Sequence, residues 1–162
     1  MEQTSRKQIL GGLLHRIRNY HSRSFATEFS ERLILQKTIY LMQTFDLFIG
    51  YHFNWYLKGP YSPQLAKDAY DLSNTYEELP EVTFVSVSAE KRFQKFMSLV
   101  GDHLMDADWL EAIASIHYLY HRGSAKDRDS IFVTIKNKMP SLKKSDFDSY
   151  WKILSETGMI GD

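Results

Sequence analysis

The stretch that decides the fold is LQKTIYLMQTFDLFIGYHFNWYLKGPYSPQL, Leu35 to Leu65. Its hydrophobic period changes twice. From Glu28 to Phe45, the residues Phe29, Leu33, Ile34, Leu35, Ile39, Tyr40, Leu41, Met42 and Phe45 cover most of a helical circumference, which predicts a helix buried mid-domain. Tyr51, Phe53, Trp55 and Leu57 then alternate with His52, Asn54, Tyr56 and Lys58, the period of a half-buried strand. Gly59 and Pro60 are expected to end that strand, because proline cannot donate to a ladder. Ser62 before Pro63 reads as an N-cap and first helical position, with Leu65, Ala69 and Leu72 facing inward. Gln36 and Lys37 are polar residues among apolar ones, and a buried lysine needs a partner or a route to water. Asp68, Asp71, carbonyls near Gly59 and a partner protein are the candidates, and a narrow exposed stripe is the alternative.

Outward from this stretch the pattern is mostly helical. Ser5 and Gln8 form a capping-box spacing ahead of a first helix, about Arg6 to Tyr20. VTFVSV, Val82 to Val87, reads as a second strand and the expected antiparallel partner of Tyr51–Lys58; two strands alone are marginal, so the ribbon must rest on helices. Ser88 is the expected cap of a helix with Phe93, Phe96, Met97, Val100 and Leu104 inward. Asp106 caps the next, Ala107 to Arg122, closed by Gly123. Ser124 to Lys138 follows, stopped by Pro140, and Ser145 caps a last helix that ends at Gly158. The expected fold is therefore mainly α, a single compact domain over 1–162 of about seven helices with a small two-stranded antiparallel β-ribbon. Its motif-bearing part spans 28–104 and its C-terminal tri-helical part 106–160.

The 162 residues suit one domain and one core, and 14% aromatic with 25% charged residues is a globular composition. Net charge is zero but unevenly placed: residues 1–37 carry +4, 38–121 carry −6, 122–152 carry +4 and the last ten −2. A domain built around a nucleic-acid footprint normally has a raised pI, so mixed solvated faces are the simpler reading. With no cysteine, disulfide and thiolate chemistry are excluded. The N-terminus does not read as a signal peptide, and no window reaches the ~18 apolar residues of a membrane span, so a cytoplasmic location is expected and no membrane partner.

Candidate chemistry is sparse. His117 and His121 stand i, i+4, a spacing that lets two imidazoles meet one metal ion; the third ligand would have to come from His103, Asp106 or Asp108. Packing roles are the commoner fate of such histidines. The acid pairs Glu77 with Glu78 and Asp106 with Asp108 suit links and helix starts. There is no GxSxG elbow, glycine-rich phosphate loop or cysteine nucleophile, so neither an enzyme nor a cofactor is expected. The last three helices have the rhythm of a helix-turn-helix core, and Lys136, Lys138, Lys143 and Lys144 would supply its phosphate contacts. This makes a DNA-binding transcriptional regulator the alternative function.

Leu35, Gln36, Lys37 and Tyr40, followed by an aromatic strand, Gly59-Pro60-Tyr61-Ser62 and Leu65, resemble the SocA/Panacea antitoxin-like domain, most closely its YwgA-like branch, across about Arg32 to Leu72. The resemblance implies a mainly helical fold, no catalytic activity and a role in protein contact. Members of that family neutralise toxins or deliver one to a protease. A prokaryotic protein-interaction module, a type II antitoxin or protease adaptor with a partner protein such as a toxin, is the function it implies. Gln36, Lys37, Tyr40, Gly59, Pro60, Tyr61 and Ser62 are the motif residues. The chain has GPY where SocA-like sequences usually have GPV.

Overall fold

The buried helix of the opening stretch is α2, Phe29–Thr44, in a computed structural model that describes residues 6–17, 28–73, 84 and 86–161. Nine consecutive residues of α2, Ile34 to Met42, are buried. The helix can be apolar on all sides because α5, Ala107–Arg122, packs along it and α3, α4 and the ribbon cover other faces. Around this pair stand α1 (Arg6–Ile17), α3 (Pro63–Leu72), α4 (Val87–Val100), α6 (Arg128–Lys138) and α7 (Lys144–Glu156). The two strands β1 (Asn54–Tyr56) and β2 (Gly59–Tyr61) form an antiparallel ribbon. The chain is thus one mainly α domain with seven helices and a two-stranded sheet among the described residues. No helix among them is long and apolar enough to cross a membrane.

Three caps are where the residue types place them. Ser62 Oγ accepts from Leu65 N at 3.2 Å, with Pro63 in the first helical position, and Asp106 Oδ1 accepts from Trp109 N at 3.1 Å. Gly158 closes α7 in the left-handed region, φ 75°, while the Met159 and Ile160 N–H groups return to the Leu154 carbonyl. Other boundaries differ. Ser86, not Ser88, caps α4, its hydroxyl accepting from Ala89 N, so Val87 opens a helix instead of closing a strand. Helix α6 begins at Arg128 and not at Ser124, because Asp127 takes the cap through Ser130 N. Helix α7 starts at Lys144 from Lys143, without a side-chain cap, so Ser145 lies inside it. Gly123 follows α5 in extended backbone, where its N–H reaches the Leu119 carbonyl at 2.8 Å and a Cβ would strike that carbonyl.

The ribbon itself is the main correction. β1 pairs with β2, in register Asn54 with Tyr61, Trp55 with Pro60 and Tyr56 with Gly59, so GPY is a strand where a strand stop was expected. Leu57 and Lys58 make the two-residue turn, and Leu57, placed inward by alternation, is 83% exposed. Proline is accepted because β2 lies at a sheet edge, where a missing N–H breaks no central ladder. Val82, Thr83 and Val85 of the expected second strand, the Ser5 cap, the end of the first helix at Tyr20 and the pair Glu77 and Glu78 lie outside the described residues.

Candidate functional site

The motif residues of the opening stretch converge on the inner side of the ribbon. Gln36 is buried on α2 and meets Ser62 at both ends of its amide: Ser62 N donates to Oε1 at 2.8 Å and Nε2 donates to the Ser62 carbonyl at 2.9 Å. One residue on, Lys37 is 1% exposed and its ammonium donates to the Pro60 carbonyl at 2.5 Å. The sequence left a carboxylate, a carbonyl near Gly59, a partner protein or an exposed stripe open for Lys37; the side chain is buried and the Pro60 carbonyl, next to Gly59, is what it bonds. Burial brings the Lys37 amine down to about 8, against the raising field of Glu111. Glu111 is buried on α5, and its carboxyl is pushed up by burial against the pull of Lys58 and Lys37.

Gly59 is required at this contact for two reasons. Its φ is +93°, a conformation that disfavours side chains, and a Cβ there would run into Ser115 Oγ on α5, with Lys37 Cε 3.7 Å away. The hairpin can therefore sit down on α2 and α5 together. Tyr40 completes the α2 side: its hydroxyl pairs with His117 Nδ1 at 2.8 Å, and its ring meets Phe53 edge-on at 5.3 Å.

The other aspartates named from sequence tie α1 to α3. Asp68 is buried and accepts from Arg6 Nε at 3.0 Å, Tyr51 Oη at 2.8 Å and Gln64 Nε2 at 3.0 Å. Asp71 pairs with Lys7 at 3.4 Å. Sequence reading passed over Gln43, whose Oε1 accepts the N–H groups of Ile49, Gly50 and Tyr51 while its Nε2 donates to the Tyr51 carbonyl. Only its place one helical turn from Tyr40 and beside the loop could have signalled it.

Above the Gln36 and Lys37 floor lies a groove of about 310 Å³ between the first half of α2, the hairpin tip and α3. Phe29, Leu33, Leu35, Tyr56, Leu57 and Tyr61 give it an apolar lining, to which Arg32 and Lys58 bring charge. Phe29 is 60% exposed and Tyr56 45%, with the Tyr56 and Tyr61 rings edge-to-face at 5.2 Å. Four motif residues, Gln36, Lys37, Tyr61 and the ribbon-bound Pro60 carbonyl that holds Lys37, thus form or brace the groove. Phe29, Arg32, Leu57 and Lys58 were not singled out from sequence; the exposed turn that presents two of them was hidden by alternation continuing through it.

Most of the remaining candidates are engaged elsewhere. His117 and His121 are neighbours with ring centroids 4.3 Å apart and planes tilted by 45°, yet one bonds Tyr40 and the other the Met159 carbonyl at 2.8 Å. Burial, reinforced by His121 and Arg122, holds the His117 imidazole neutral down to about 3. No group of three His, Asp or Glu side chains suited to a metal ion occurs among the described residues. His103 stacks on Trp109 at 3.9 Å, and Asp106 serves as a cap. Of the four lysines, Lys136 donates to the Pro140 and Leu142 carbonyls at 2.6 Å and Lys138 lies over the Trp55 ring. Lys144 pairs with Asp148 at 3.6 Å and covers Phe132 and Phe147. Lys143 precedes α7 and is exposed.

No family model, curated protein or solved structure matches the chain.

Proposed function

We propose that this chain is a non-catalytic protein-interaction module whose working surface is the groove between α2, the hairpin tip and α3. The observation that carries the reading is the contiguity of exposed Phe29, Tyr56 and Leu57 around a concave, apolar lining. Exposed apolar side chains gathered at one place are characteristic of contact surfaces, whereas scattered ones need no explanation. The polar residues beneath it support the same reading, since Gln36 and Lys37 spend their hydrogen bonds on holding the hairpin in place. A rigid floor lets the groove keep its shape without a ligand, which lowers the cost of ordering on association.

This function agrees with the resemblance to SocA/Panacea antitoxin-like domains, and an antitoxin or protease adaptor is the specific role proposed. The test is affinity purification of the full chain from its native cells, alongside a Leu57→Asp variant, followed by co-expression of the recovered partner. The expected result is a stable protein partner that the wild type retains and the variant loses, and that is toxic or protease-sensitive without the chain. Recovery of no partner, or of the same partner at equal yield with Leu57→Asp, overturns the reading. Of the four lysines on which the DNA-binding alternative relies, Lys136, Lys138 and Lys144 make contacts within the chain, which favours the interaction module over it.

A further inference from the structure

We propose that the occupant of the groove is an acidic segment of a partner protein, which inserts an apolar side chain beside Leu57 and sets its carboxylates against Arg32 and Lys58. The inference rests on the groove being the working surface and adds the chemistry of what fills it. Among the residues lining the groove there is no Asp or Glu, while there are three cations, Arg32, Lys58 and the floor residue Lys37.

Neither Arg32 nor Lys58 forms a salt bridge among the described residues. Arg32 lies over the Phe29 ring at 5.8 Å, which orients its guanidinium along the apolar wall and keeps its donors available. Lys58 feels Glu111, but that carboxyl is buried on α5 and is not part of the lining. At the floor Lys37 adds a cation that bonds a neutral carbonyl, its charge partly offset by buried Glu111 behind the lining. Low-dielectric apolar walls with charge of one sign focus a field toward the mouth. The field selects against basic segments and speeds the approach of acidic ones.

The shape favours a protein segment over an anionic lipid surface. A volume of about 310 Å³ is concave space for anchoring side chains, at the small end of the ~300–1,000 Å³ range of binding cavities. A bilayer surface needs a protruding apolar face instead. A second copy of the chain would have to bring its own acidic, apolar segment to the same place, and self-association is one of the outcomes below.

The experiment uses the full chain and two short fluorescein-labelled peptides, one alternating aspartate with leucine and phenylalanine, the other with lysine in place of aspartate. Binding is read by anisotropy at low and raised salt, for the wild type, Leu57→Asp and the double variant Arg32→Glu with Lys58→Glu. These positions are at the surface, and circular dichroism verifies that each variant is folded. The inference expects saturable binding of the acidic peptide, about tenfold tighter than the basic one for two exposed charge pairs. Salt should weaken it, Leu57→Asp should abolish it, and the double variant should reverse the preference.

Equal binding of the two peptides, or no response to charge reversal, overturns the inference. So does binding of phosphatidylglycerol vesicles in place of peptide, or a concentration-dependent dimer cross-linked through a photoreactive residue at position 57. A heterologous protein cross-linked at position 57 whose capture ignores Arg32→Glu and Lys58→Glu refutes the acidic occupant while sparing the interaction module. Absence of both peptide binding and any cross-linked partner refutes the two together.

Discussion

Replacing Gln36 by leucine isolates the energy of one amide. The substitution keeps a side chain of similar volume on α2 and removes both hydrogen bonds to Ser62. The two ends are not equivalent. The Ser62 carbonyl still accepts from Ala66 N at 3.1 Å, so that end loses one of two bonds, on the order of 0.5–1.5 kcal/mol. The Ser62 N–H has only Gln36 Oε1, and once orphaned in the core it costs roughly 1–3 kcal/mol. The expected destabilisation is about 3 kcal/mol, or about 6–12 °C in Tm for a domain of this size. Urea and thermal unfolding measure it directly. Gln36→Glu supplies the control: it keeps an acceptor for Ser62 N–H but faces the Ser62 carbonyl with an anion, until protonation restores a donor. The introduced carboxyl titrates higher in the folded state than in the unfolded chain, so the deficit of this variant relative to wild type shrinks as pH falls from 7 to 5. A Gln36→Leu chain with wild-type stability, or a glutamate variant whose deficit ignores pH, refutes the reasoning.

Three further outcomes are expected. Gly59→Ala costs about 1–2 kcal/mol for its positive φ and about 1–3 more for the collision with Ser115 Oγ. Adding Ser115→Ala recovers the second part only, and strictly additive denaturation energies would contradict the contact. The Lys37 amine, near 8 when folded and 10.5 when unfolded, sheds its proton first in the native state, so this group makes stability rise with pH from about 8. The rise is at most ~1.4 kcal/mol per pH unit, and it is read from urea midpoints between about pH 7.5 and 9, below the range near 10 where unfolded tyrosines ionise. Lys37→Met should flatten it, and a wild-type slope no steeper than the variant's would contradict the buried charge. His117, held neutral down to about 3 against 6.5 unfolded, binds its proton first in the unfolded chain, so stability is lost as pH drops below 6.5. Its imidazole NMR signals should not titrate in the folded protein between pH 7 and 5; a midpoint near 6.5 would show it to be open to solvent.

How far the sequence spoke for itself differs along the chain. Helix α2 was legible because a circumference of apolar residues has one physical outcome, and Ser62-Pro63 and Asp106 were legible because caps are local chemistry. The ribbon was not, because its pairing is decided by tertiary contact. Residues 59–61 become a strand only when Gln36 and Lys37 hold the carbonyls of Pro60 and Ser62 and Gly59 nests on Ser115. Period-two alternation ran past Tyr56 into a turn, and this placed Leu57 on the wrong side. Of the candidate site, the polar floor was visible as misplaced polarity in an apolar helix. The wall was not, since Phe29 and Leu57 are unremarkable letters whose exposure depends on what fails to cover them.

The bonds from α2 to β2 also bear on how the protein behaves at high concentration. A sheet edge offers unpaired N–H and C=O groups that a strand from another molecule can extend, and this is a route to aggregation. Along β2, the Pro60 carbonyl is taken by the Lys37 ammonium and both backbone groups of Ser62 by the Gln36 amide, while Pro60 has no N–H to offer. Two side chains of one helix stand where an intruding strand would have to bond. The same atoms that fix the hairpin thus close the β2 edge to template-directed assembly.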